Sequence, residues 1–393
     1  MQSFKDRLDA VEGFGPGFDL TRLVLASGVV VWHSLVITST EYGAKATPLW
    51  LFAYALVPMF FVLSGFLVTR SALRLPVREY LLNRGFRIVP ALAVDIVVSA
   101  LIIGPLVTTL SLADYARDPQ FARYFLNIVG WVHYTLPGAF ADARIPYLVN
   151  GSLWTVPFEL RCYGVMALMV VFGLMHRARW TTLLAFGWLV TALLVIAFAV
   201  ELPGIAGKLL SVAFLQEPSK LIPYFLIGSA IYLAQGRLPF NRWLAAASAA
   251  AVVAASLLLD GNDAWANPWL ALLAAPPLAY LTIYAGLSRL PRPPSINHGD
   301  YSYGIYLYHF PVLQVIDHLH RFEQWWQLLA VAALPVLGLA MFSWHLVERP
   351  ALRLRKRFSL VGARVAVQDE ALATTTAPGL PKTPPRVRSQ TRH

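Results

Sequence analysis

The chain has 393 residues, 57% of them hydrophobic and only 13% charged, with a formal net charge of +11. Soluble domains carry about twice that charged fraction, so an ordinary soluble protein is excluded and an all-α polytopic membrane protein is indicated. The single cysteine, Cys162, excludes an internal disulfide and a cysteine zinc site, and Lys/Arg-rich loops on one membrane face explain the charge without nucleic acid.

Residues 1–17 are expected as a cytoplasmic N-terminus. Lys5 and Arg7 resemble the charged start of a signal peptide, but Asp9, Glu12 and a GFGPG turn separate them from the apolar run. No small-residue cleavage site follows, so the first span is expected to be retained. GFGPG has no strand before it and is not a phosphate loop.

The first span, Phe18–Ile37, has the length of about twenty residues that crosses a bilayer as a helix. It contains Arg22 and His33, ionisable groups that lipid disfavours and that normally face a bundle interior or a polar cavity. At 100° per residue His33 returns to within about 20° of the Arg22 face, roughly 16 Å further along the axis. One helix face thus carries a fixed positive charge near the membrane surface and a proton-transfer group at depth.

A second span runs from Trp50 to Val68 and ends in the stretch Thr69–Arg87, which holds Arg70, Arg74, Arg78, Arg84 and Arg87. Further apolar runs lie at Val89–Leu110, Leu153–Leu174, Thr181–Val200, Leu221–Ala234, Leu244–Leu259, Trp269–Leu287, Ser302–Leu319 and Leu328–Val347. These predict about ten transmembrane helices within residues 18–350, with the helix at Leu221–Ala234 the least secure. Alternate loops carry most of the Lys and Arg, including ten from Arg349 onward, which predicts both termini in the cytoplasm. Ser111–Ser152 is a long outer loop expected to fold partly over the bundle. Residues 351–393 read as a basic tail, disordered from about Val367. No internal repeat is visible.

With that orientation, Glu159 in GSLWTVPFELRCYG is expected at a depth similar to that of His33, where a carboxylate beside an imidazole would raise its basicity and fix its tautomer. Pairing for burial alone is the structural alternative. Arg161 points elsewhere. Arg84 and Arg87, spaced i, i+3, share a helix face at the inner surface. With Arg22 they form a basic mouth suited to clamping phosphates. Ser64 and Gly65 read first as a helix-packing pair, and no GxSxG elbow surrounds the serine. Trp154, Tyr303 and His309 are expected, with Ser64, to line the substrate space. Glu348 in WHLVERP is placed to neutralise an arginine, and Pro350 to stop the last helix. His318, His320 and Glu323 fall at an exposed turn, and no metal is assigned.

In these residues the sequence resembles the membrane acyltransferase 3 family, bacterial enzymes that O-acylate surface glycans and other extracytoplasmic acceptors. The likeness spans Phe18 to Pro350 and rests on an ordered set: Arg22 and His33, FFVLSGFLV, NRGFRIVPAL, SLWTVPFEL, SYGIYLYHFP and VERP. It implies a ten-helix core in the bacterial inner membrane and no bound cofactor, with acyl-CoA, acetyl-CoA by base rate, as a co-substrate entering from the cytoplasm. His33 is implied as catalytic, with Glu159 matching the family's acidic position. Arg22, Arg84 and Arg87 match donor-handling positions. The acceptor would be a glycan or glycolipid hydroxyl. A secondary transporter or carrier of a lipid-linked or small-molecule substrate, or a scaffold binding a glycan or lipid precursor, is the alternative. A transporter should show inverted repeats.

Overall fold

The computed structural model describes residues 2–11, 15–198, 202–215, 220–264, 267–290 and 299–358. These residues form an all-α bundle, with two isolated bridges, Ser3 to Pro239 and Thr108 to Ala139, and no named strand among them. Each expected apolar run coincides with a helix: α1 Phe18–Thr38, α2 Trp50–Arg74, α3 Val77–Val98, α4 Val156–Val171, α5 Ala178–Ala197, α6 Leu221–Leu233, α7 Arg242–Leu258, α8 Pro268–Leu287, α9 Ser302–Leu319 and α10 Trp325–Phe342.

Seven of these, α1 to α5, α8 and α10, lie in stretches long and apolar enough to cross a membrane. The other three differ for identifiable reasons. Helices α6 and α7 have only 13 and 17 residues. Helix α6 is apolar all round because protein surrounds it, with Leu221 through Ala230 all buried. Helix α9 carries His309, Gln314 and Asp317, and all three are buried. It packs against α1 and α10, so its polar groups face protein rather than lipid.

Close helix packing follows from small residues. A Cβ on Gly65 of α2 would overlap the Phe225 carbonyl of α6, and one on Gly228 of α6 would overlap the Val62 carbonyl of α2. The two backbones therefore approach through reciprocal glycines, as small residues allow between membrane helices. This is the packing role read for the Ser64–Gly65 pair.

Two boundaries differ from expectation. The arginine-rich stretch is not a loop: α2 runs through Arg70 and Arg74, and α3 already begins at Val77 and includes Arg78, Arg84 and Arg87. Arginine is a good helix former whose long stem can carry its charge to a polar surface, so loss of hydropathy does not mark a helix end here. Pro350 does not stop the last helix either. Helix α10 passes through a π-helical turn, Ser343–Glu348, into α11, Arg349–Phe358. Pro350 sits in the first turn of α11, where a missing N–H costs little. Of the basic tail, residues 359–393 lie outside the described residues.

The bundle has two distinguishable ends. At one, the N-terminal segment docks through Phe4 N–H to the Leu238 carbonyl (2.9 Å) and Arg7 Nε to the Leu287 carbonyl (3.2 Å). At the other, Trp50 Nε1 donates to the Leu259 carbonyl (3.1 Å), and residues 111–150 form a folded cap. Short helices Leu112–Arg117 and Pro119–Tyr124 open the cap, the Tyr115 hydroxyl anchors it on the Ala100 carbonyl (2.7 Å), and Gln314 Nε2 donates to the Ile145 carbonyl (2.7 Å). Asn150 closes it. Its Nδ2 donates to Asp95 Oδ2 and the Leu307 carbonyl, both at 3.0 Å, and its Oδ1 accepts from Ser152 N–H (3.0 Å) and Oγ (2.6 Å). That node fixes the start of α4 against α3 and α9, and hence the positions of Trp154, Thr155 and Glu159.

Candidate active site

His33 on α1 meets His309 on α9, with Nδ1 of His33 2.7 Å from Nε2 of His309 and the rings nearly parallel. The other nitrogen of His309, Nδ1, lies 2.8 Å from the Tyr306 carbonyl and 3.1 Å from the Ile305 carbonyl. A carbonyl only accepts, so His309 Nδ1 carries the proton. For two neutral imidazoles, His309 Nε2 is then an acceptor, and the proton between the rings belongs to His33 Nδ1. His33 is left with an unprotonated Nε2, the form a general base needs. His309 is fully buried while His33 is partly open.

His33 faces a cavity of about 570 Å³ whose other walls include Trp32, Glu41, Arg144, Trp154, Tyr306 and Phe310. Two indoles and a phenol give it broad aromatic faces. Its charged groups have partners: Arg144 Nη1 lies 3.5 Å from Asp317 Oδ1, and Glu41 Oε1 lies 2.7 Å from Lys45 Nζ.

The arginines gather at the other end, around a narrower cavity of about 130 Å³ that also exposes Ser64, Glu159, Tyr163, Tyr303 and Tyr306. Arg22 Nη1 and Arg87 Nη2 both reach Asp300 Oδ2, at 3.3 and 2.6 Å, and Arg87 Nη1 reaches Glu348 Oε2 at 2.7 Å. Ser302 Oγ donates to Asp300 Oδ1 (2.5 Å) and Ser343 Oγ to Glu348 Oε1 (3.0 Å). Asp300 stands in the short stretch before α9. Burial raises its carboxyl, but the Arg87 and Arg22 guanidinium groups and the Ser302 hydroxyl outweigh that and hold it at about 2. Arg87 is thereby committed to two carboxylates and joins α3, the stretch before α9 and the π-helical turn after α10. Arg84 differs. Its guanidinium lies over the Tyr163 ring (5.8 Å) beside the cavity, and its buried Nε has no hydrogen-bond partner.

Glu159 is at this arginine end, not beside His33. It accepts a 2.5 Å hydrogen bond from the Tyr163 hydroxyl, which lies 3.5 Å from Ser64 Oγ. The expected His33–Glu159 neighbourhood is therefore corrected to His33–His309. Counting depth from Ser152 misleads because Ser152 is already fully buried beneath the cap. The turn that holds it, Gly151–Thr155, is also 3₁₀, which rises faster per residue than an α-helix. Arg161, as expected, faces outward and rests on Phe158 (4.6 Å).

Trp154 and His33 share the larger cavity; Ser64 and Tyr303 line the smaller one with Arg22, Arg84, Arg87 and Glu159. Sequence reasoning missed Tyr163, Thr155 and Asp300 as site residues. For Asp300 a signal existed: intramembrane arginines need carboxylates, and an acidic residue just before an apolar run was available.

A profile of the family described as "Acyltransferase domain" matches residues 16–345. The chain belongs to the acyltransferase 3 family. Nodulation protein 10 of Rhizobium leguminosarum bv. viciae is 30% identical over 385 residues, covering 90% of this chain and 97% of that protein. The O-acetyl transferase of Shigella phage Sf6 is 26% identical over 341 residues, 84% of this chain and 94% of its own. No solved structure matches significantly. As an acyltransferase 3 family member the protein is an acyltransferase, and the His33–His309 pair is its evident candidate for proton transfer.

Proposed function

We propose that this acyltransferase moves an acetyl group from acetyl-CoA, held at the arginine end, to a hydroxyl of a glycan or glycolipid seated in the larger cavity. The observation that carries this reading is the tautomer of His33, whose Nε2 is free while its Nδ1–H is occupied by His309. In this mechanism Nε2 takes the acceptor hydroxyl proton as the oxygen attacks the thioester carbonyl. The carbon–sulfur bond breaks, and the CoA thiolate recovers the proton from the imidazolium. Transfer through an acetyl-imidazole on Nε2 uses the same nitrogen and differs in showing ping-pong kinetics.

The acceptor assignment is supported by Trp32 and Trp154, whose flat indole faces suit the apolar faces of sugar rings. Acetyl as the group and a hydroxyl as its destination gain support from the name of the phage Sf6 relative, an O-acetyl transferase. On the donor side, Arg84 and Arg22 offer charge to the CoA phosphates. Arg87 meets a phosphate only by exchanging one of its carboxylates. The excess of arginine in alternate loops supports a bacterial inner-membrane location with both termini and the arginine end cytoplasmic.

The test is transfer of label from [acetyl]-CoA to surface glycan in membranes carrying wild type or His33→Ala. Label present in wild type and lost in His33→Ala is expected. Equal labelling in both would overturn the role of His33, and proton-driven flux without acyl-CoA would make the protein a transporter.

A further inference from the structure

The two cavities share only Val57 of α2 and Tyr306 of α9 among their lining residues. Tyr306 is held firmly. Its hydroxyl lies 2.7 Å from Thr155 Oγ1 and 3.3 Å from the Ser152 carbonyl, and its ring meets Phe60 edge-on with centroids 6.0 Å apart. Its ring centroid is also 6.0 Å from that of His309, and its own carbonyl receives the His309 proton. One residue thus sets the tautomer of the base through its backbone and separates the two cavities with its side chain.

Resting on the donor and acceptor assignments above, we infer that Tyr306, together with Val57, the other residue common to both cavities, is a positioning residue that partitions the cavities and couples thioester cleavage to transfer. The larger cavity is polar enough to hold water, and water competes with an acceptor hydroxyl for the same carbonyl. Hydrolysis would break the carbon–sulfur bond and join the water oxygen to the acetyl carbon, one water proton passing through His33 to the CoA thiolate and the other leaving with the acetic acid formed. A wall at Tyr306 keeps that water from the thioester, and a seated acceptor opens the junction by displacing the Tyr306 side chain from Thr155 and Ser152. Exclusion of water from reactive groups is a general means of suppressing such side reactions.

The experiment counts CoA thiol released against ester formed, with and without acceptor. Wild type releases CoA only as ester forms. Tyr306→Phe keeps the ring and stays coupled. Tyr306→Ala, with Tyr306→Leu as a milder form, releases CoA without acceptor several-fold faster than wild type, because water then reaches the thioester. Val57→Ala thins the same wall and shifts the ratio in the same direction. A Tyr306→Ala enzyme that is slower but still coupled would overturn the inference.

A second measurement needs no catalysis. Ser64 lines only the arginine-end cavity, and Cys162 is the single, buried cysteine. In a Cys162→Ser background, Ser64→Cys should react slowly with a charged thiol reagent added from the cap side. Reaction should be about tenfold faster once Tyr306 is Ala or Leu, because solvent then reaches across the wall. Unchanged labelling would sink the partition whatever the enzyme transfers. Wild type lacking acetyl-CoA-dependent ester, with labelling still gated by Tyr306, would refute the acyl-transfer reading alone.

Discussion

Replacing His309 by phenylalanine would remove the acceptor for His33 Nδ1–H while keeping an aromatic ring of similar breadth. The lost contact is a 2.7 Å hydrogen bond between stacked rings, one of them fully buried. Leaving a buried donor unpaired costs about 1–3 kcal/mol. His33 avoids that cost by moving its proton to Nε2, where the larger cavity is polar, and in doing so ceases to be a base. Restoring the productive tautomer then requires the same free energy in every turnover, so kcat should fall about 10- to 100-fold. KM for acetyl-CoA should not move, because His309 does not line the arginine-end cavity. His309→Gln, whose amide oxygen can accept from Nδ1–H, should recover a large part of the rate. The assay is initial-rate transfer of labelled acetyl in detergent or nanodiscs, with thermal unfolding of each variant as a control. A His309→Phe enzyme with wild-type kcat, or equal losses in His309→Phe and His309→Gln at unchanged stability, would refute the tautomer argument.

Arg84→Ala should raise KM for acetyl-CoA at least about fivefold with little effect on that for acetyl-pantetheine, as expected of a lost phosphate contact. Equal effects on both donors would move Arg84 out of phosphate recognition. Arg87→Ala should destabilise the protein by about 3–5 kcal/mol, because it leaves the buried Glu348 carboxylate without its guanidinium and Asp300 with only the more distant Arg22; thermal unfolding in detergent reads this directly. Asp300 contributes a pH dependence of known sign. Its carboxyl is held at about 2, below the ordinary carboxylate value of 3.8, so its stabilisation is complete above that ordinary value and is lost as pH falls through about 2. The stability gap between wild type and Asp300→Asn, about 2 kcal/mol near neutrality, should therefore close in strong acid. Gly228→Leu should abolish accumulation of folded protein, since its side chain would enter the Val62 carbonyl, whereas Gly338→Leu, with open space at its Cβ position, should be tolerated.

The helices were legible from apolar runs because lipid and protein interior both demand them. Their ends were less so. Arg78, Arg84 and Arg87 look like a loop by hydropathy yet occupy α3, since helix formation follows backbone propensity and hydropathy follows solvent. Arg22 and His33 were legible as a site because intramembrane charge is costly. The partner of His33 was not. Glu159 and His309 were both deep and polar, and the choice between them depended on Asn150 and Ser152 starting α4 beneath a cap, a tertiary fact with no local signature. Asp300 escaped for the related reason that its partners, Arg22 and Arg87, lie far away in the chain.

Helix α9 borders both cavities. Tyr303 lines the arginine-end cavity, Tyr306 stands between the two cavities, and His309 supports the base. The three recur at intervals of three residues, each about 4.5 Å along the axis and about 60° around it from the last. They behave as marks on a rigid ruler. Small tilts or slides of α9 would carry all three together and leave their order intact. A single inserted or deleted residue between Tyr303 and His309 would instead turn everything beyond it by about 100°, pointing Tyr306 or His309 away from its station. The seven residues from Tyr303 to His309 must therefore keep their count.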